Sequence, residues 1–188
     1  MNRIVWAMGQ SAAGKETFIR NAVSHPNCEL MKQLGYRSSK NIPIGDNISL
    51  GDYERIKIKD MVLDLLNRET DATIFIKWQH VDTDPQYGDL IMKLKIETPD
   101  ISNEIVLLSV ESGVLNARLQ KKWWWNESTS STQEEMDHVV EILRGNVKKW
   151  LDLGFVLAAE IDATDGYKLM ENLIVKKTKE ESTNKLTD

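Results

Sequence analysis

The stretch AMGQSAAGKETF, residues Ala7 to Phe18, decides how this chain is read. It holds Gly9, Gly14 and Lys15 in the order G-x-x-x-x-G-K. Before it lies RIVWAM, a short apolar run consistent with a buried strand, and after it KETFIRNAV, which reads as a helix. A strand that ends at a glycine and a helix that opens at a lysine form the context in which this spacing builds a phosphate-binding loop. The glycines let the backbone turn and bring its amides around a phosphate chain, and the helix N-terminus adds its positive end. Lys15 supplies a full charge for the terminal phosphates of a nucleoside triphosphate. Glu16, however, stands where the pattern asks for a serine or threonine. The competing reading is a glycine-containing strand-to-helix turn with a solvated lysine.

Working outward, apolar segments alternate along the chain. A second strand is expected near Asn41 to Ile44, a helix from Asp52 with Ile58, Met61, Val62, Leu65 and Leu66 on one face, and a third strand at ATIFIKW. DPQYGDLIMKLKIE reads as a helix, NEIVLLSV as a fourth strand and ESGVLNARLQKKWWW as a helix. After the polar break NESTSS, the helix TQEEMDHVVEILRGNVKKWLDLGF carries Met136, Val139, Val140, Leu143, Val147, Trp150 and Leu151 at helical spacing. Ser131 with Glu134 has capping-box spacing, and Gly154 is placed to stop the helix. FVLAAEI is a fifth strand and DGYKLMENLIVKK a closing helix. Strands apolar on both faces that alternate with helices imply an α/β three-layer fold, a five-stranded parallel sheet with helices on both faces. Ligands in such folds sit at the carboxyl ends of the strands, where Gly9 to Lys15 begins.

Composition narrows the class. In 188 residues, 41% apolar and 28% charged, one globular domain is the default, here expected over 1–176 with a polar, disordered tail at 177–188. The net charge of -5 argues against nucleic acid as main partner and against an anionic membrane surface, because both are bound through clustered Lys and Arg. Cys28 is the single cysteine, so no internal disulfide forms, and a reducing cytoplasm is expected. The opening MNRIVWAMGQ reaches glycine too soon for a signal peptide, and no run has the roughly 20 apolar residues that cross a bilayer.

The form G-x-x-x-x-G-K-x-T, Gly9 to Thr17, resembles the P-loop of nucleoside monophosphate kinases such as adenylate kinases and phage deoxynucleotide kinases. Two further stretches are similar to that family. IVLLSVESGVLNARLQKK carries an L-x-x-R-L pattern at Leu115 to Leu119, and FVLAAEIDATDGYKLMENLI resembles the family's last strand with its IDAT turn and closing helix. The resemblance implies the P-loop NTPase fold, ATP with Mg²⁺, and transfer of the terminal phosphoryl group to a small acceptor, a nucleoside monophosphate or related metabolite. On that basis Gly9, Gln10, Ser11, Ala12, Ala13, Gly14, Lys15, Glu16 and Thr17 hold the nucleotide. Lys15, Arg118 and Arg144 serve catalysis from the loop and from a reduced lid at about 119–133.

Arg37 is the candidate clamp for an acceptor phosphate and Gln79 a candidate hydrogen-bonding group for the acceptor. Where the family commonly ends its third strand with an aspartate, this chain has Lys77, Trp78 and Gln79, so the metal candidates are Thr17, Asp82 and Asp84. Glu16 and the missing aspartate favour an alternative, a nucleotide-binding switch or slow ATPase acting through a protein partner. An interaction domain that has lost the site is the third reading, opposed by Gly9, Gly14 and Lys15.

Overall fold

The computed structural model describes residues 1–25, 29–36, 40–44, 52–78, 89–121, 132–165 and 175–176. The chain alternates strands and helices: β1 (Arg3–Gly9), α1 (Lys15–Ser24), α2 (Glu29–Gln33), β2 (Lys40–Ile44), α3 (Asp52–Arg68), β3 (Ala72–Lys77) and α4 (Asp89–Glu97). It continues through β4 (Ser102–Ser109), α5 (Ser112–Leu119), α6 (Gln133–Asp152), β5 (Val156–Asp162) and β6 (Val175–Lys176). The sheet order is β2-β3-β1-β4-β5-β6. The first five strands in that order pair in parallel, and β6 pairs antiparallel with β5. This is the expected parallel sheet, with one short strand added.

The addition corrects the end of the expected closing helix. Val175 and Lys176 pair with Ile161 and Glu160. An open sheet edge presents unpaired N–H and C=O groups, and the β-branched end of LIVKK is suited to pair with them. The rest of that helix, residues 166–174, and the tail at 177–188 lie outside the described residues.

β1 is the centre of the packing. Ile4, Val5, Trp6, Ala7 and Met8 are all fully buried, so its alternate side chains enter two cores. On one face, Val5 and Ala7 join Phe75 and Val106 beneath Phe18, Ile19 and Ala22 of α1, Met31 of α2 and Leu115 of α5. On the other, Ile4, Trp6 and Met8 join Ile74, Ile76 and Ile105 against Val62 of α3, Leu94 of α4 and Leu143, Val147 and Trp150 of α6. Both faces are covered by helices, which completes the three layers. Within the second core the Trp6 indole N–H donates to Asn103 Oδ1 at 3.0 Å, so the polar atoms needed to hold a tryptophan and an asparagine there satisfy each other.

Two details of the helices depart from the sequence pattern. Met61 is 40% exposed, because the buried stripe of α3 runs through Val62, with Leu63, Leu65 and Leu66 packed against it. The capping box of α6 is Thr132 with Glu135, one residue beyond Ser131 and Glu134. Thr132 Oγ1 accepts from the Glu135 amide at 3.2 Å, and Glu135 Oε2 accepts from the Thr132 amide at 2.7 Å. STQEE offers both spacings, and the burial of Met136, Leu143, Val147 and Trp150 sets which is used. Gly154 ends α6 as expected, at φ 84.

Candidate functional site

The loop between β1 and α1 begins with a close approach. Gly9 sits at φ 153 beside Leu108 of β4, and a Cβ built on it would meet the Leu108 carbonyl oxygen at 2.6 Å. Any side chain here would force the end of β1 away from β4. The Ala13 amide then donates to the Gln10 carbonyl at 3.1 Å, closing a turn in which Ala12 takes the left-handed conformation at φ 64. Gly14 caps α1 at φ 96 and ψ 17, and the helix has no side-chain cap. No side-chain oxygen caps its first amides, the condition under which a helix start can receive an anion.

Lys15 lies inside this loop. It is 5% exposed, and its Nζ donates to the carbonyls of Gly9 and Gln10, each at 2.7 Å. A buried ammonium held by the backbone oxygens of the two residues that open its own loop is a charge fixed within that loop. The turn-with-solvated-lysine reading does not fit this geometry. Ser11 is exposed, Ala13 is buried, and Thr17 is half-buried on α1.

Glu16, in the motif's hydroxyl position, points into an ionic group. Its Oε1 accepts from Arg20 Nη2 at 2.8 Å, and its Oε2 lies 3.9 Å from Lys77 Nζ at the end of β3. Sequence reasoning noted Lys77 as a departure from the family pattern and gave it no role. Its proximity to Glu16 follows from β3 pairing beside β1, with Lys77 level with Ala7. The adjoining Trp78 is buried against Trp6, with ring centroids 5.9 Å apart, and is a core residue. Among the described residues no group of three His, Cys, Asp or Glu side chains could hold a metal ion.

Arg118, on α5, donates through Nη2 to the carbonyls of Ala163 at 2.7 Å and Thr164 at 3.0 Å. It thus braces the turn after β5. That turn is also held by the Ala163 amide on the Ser109 carbonyl, by the Thr164 amide on Asp162 Oδ1, and by the Glu111 amide on Thr164 Oγ1. Arg144 lies on the exposed side of α6. Arg37, Gln79, Asp82, Asp84 and the lid residues 122–131 lie outside the described residues.

No family model matches the chain. No curated protein matches it either. Among solved structures it is similar to a shikimate kinase from Bacteroides thetaiotaomicron, at 14% identity and TM-score 0.42, covering 82% of this chain and 85% of that one. It is also similar to a deoxyadenosine kinase from M. mycoides with bound dATP, at 14% identity and TM-score 0.47, covering 89% of this chain and 95% of that one. No described helix is long and apolar enough to cross a membrane.

Proposed function

We propose that this chain is an ATP-dependent phosphotransferase that moves the terminal phosphoryl group to a small acceptor, a nucleoside monophosphate or a related metabolite. The observation that carries the reading is the buried Lys15 ammonium, hydrogen-bonded to the carbonyls of Gly9 and Gln10 that open the Gly9–Gly14 loop. A triphosphate entering the loop replaces carbonyl oxygens with phosphate oxygens as the lysine's acceptors, while the loop and first-turn amides of α1 donate to the same chain. Such chemistry needs positioning and charge neutralisation, and no covalent enzyme intermediate.

The remaining assignments rest on the resemblance. Gly9 to Thr17 form the nucleotide site within a single domain over 1–176, and the turn braced by Arg118 lies beside the adenine ring. Arg118 and Arg144 serve the transferring group from around the lid at 119–133, and Arg37 and Gln79 hold the acceptor. Magnesium would come with the nucleotide, and Thr17, Asp82 and Asp84 are the residues that would help to hold it there. The protein works in the cytoplasm, without membrane or nucleic acid as main partner.

The test is ADP release from Mg-ATP across nucleoside monophosphates, nucleosides and small phosphorylated metabolites, with Lys15→Ala beside the wild type. One acceptor class should raise turnover, and Lys15→Ala should lower that rate by about 100-fold or more. If ATP binds and no acceptor raises turnover above the control, the regulatory reading, a switch or slow ATPase acting on a protein partner, replaces this one.

A further inference from the structure

Lys77 ends β3 at the carboxyl edge of the sheet, level with Ala7 on β1, two residues before Gly9 starts the loop. Alternation along β3 places it on the same face as Phe75, whose ring packs against Phe18 of α1 at a centroid distance of 6.1 Å. Its amine therefore rises beneath the first turn of α1. The side chain is only 13% exposed, and among the described residues its charged partner is Glu16, at 3.9 Å, beyond hydrogen-bonding distance. The same carboxylate is already hydrogen-bonded to Arg20 at 2.8 Å. An ammonium has three donors, and a largely buried one is costly without acceptors. A cation in this state, beside the residue that follows Lys15, is matched by an anion with several oxygens.

We propose that Lys77 is a second phosphate-binding lysine of this loop: it offsets the charge of Glu16 in the empty site and donates to the terminal phosphates of the bound nucleotide. The inference rests on the nucleotide-binding reading above and adds a specificity-determining residue to it. It also accounts for the two departures together. A carboxylate at the first turn of α1 repels a triphosphate, and a lysine at the end of β3 offsets that repulsion at the point where it acts.

The experiment is calorimetric titration of the full chain with Mg-ATP and Mg-ADP, using wild type, Lys77→Gln, Lys77→Arg, Glu16→Gln, the Lys77→Gln/Glu16→Gln double variant and Lys15→Ala. Lys77→Gln should weaken ATP by about tenfold and ADP by less, and the loss should persist when Glu16 is also neutralised. Lys77→Arg should recover most of it. If Lys77→Gln binds ATP as the wild type does while Lys15→Ala loses it, the inference falls and the nucleotide reading stands. If the loss disappears in the double variant, Lys77 serves only to neutralise Glu16, and the inference also falls. A wild-type protein that binds no ATP overturns both. Should Lys77→Gln not fold, acylation of the wild-type amines mapped by mass spectrometry gives the same decision: ATP should slow labelling of Lys77, and unchanged labelling overturns the proposal.

Discussion

A single glycine sets the geometry of the loop. Gly9 has to be a glycine for two separate reasons, its backbone conformation and the Leu108 carbonyl 2.6 Å from where a Cβ would stand. Gly9→Ala should therefore destabilise the fold by about 1–3 kcal/mol, read from urea unfolding, because β1 and β4 must separate to admit the methyl group. It should also weaken ATP binding, since the same shift displaces the carbonyl that Lys15 holds. A variant with wild-type stability would show that the strands give way freely at this point. The motif spacing made Gly9, Gly14 and Lys15 legible in the sequence. It did not make legible the approach of Lys77 to Glu16, because that contact depends on which strand lies beside β1.

α6 shows how an element draws on both local and distant information. Its C-terminus follows a local rule: the Gly154 amide donates to the Leu151 carbonyl at 2.8 Å and the Phe155 amide to the Trp150 carbonyl at 3.3 Å, with the Trp150 and Phe155 rings in edge contact at 5.3 Å. Its N-terminus needed more, since two overlapping capping boxes are written into STQEE and only the register of the buried face chooses between them. Thr132→Ala should cost about 1 kcal/mol in chemical denaturation, whereas Ser131→Ala, outside the box, should cost far less. A larger loss at Ser131 than at Thr132 would place the cap one residue earlier. The short strand β6 is the stronger lesson. A segment with helical periodicity ends as a strand because the edge of β5 supplies backbone partners that periodicity cannot report.

At the scale of the molecule, the two ends of the sheet do different work. The carboxyl end carries the loop, while the opposite end holds a group of half-buried Arg3 and Glu104 around the buried Tyr36. Arg3 stacks over the Tyr36 ring at 5.4 Å and lies 3.5 Å from Glu104. Burial, reinforced by the Glu104 carboxylate, pushes the Tyr36 hydroxyl well above its ordinary value of 10.0. The folded protein thus keeps this proton after the unfolded chain has lost it. Its contribution to stability is whole below about pH 10 and falls as pH rises beyond that, toward the folded value. Unfolding midpoints measured from neutral to strongly alkaline pH should show this decline, and Tyr36→Phe should flatten it. A decline of the same size in Tyr36→Phe would assign it to other groups.

By itself the sequence determined the fold class and the position of the loop, because apolar runs at strand length, helical periodicity and glycine–lysine spacing are local properties of the chain. Only the tertiary structure decided what surrounds the loop. Arg118 reaches the turn after β5 across 45 and 46 residues of sequence, and Lys77 meets Glu16 from the neighbouring strand. Such contacts are set by the strand order β2-β3-β1-β4-β5, and strand order is fixed by how two hydrophobic faces are covered at once, a global condition that no short window of residues contains.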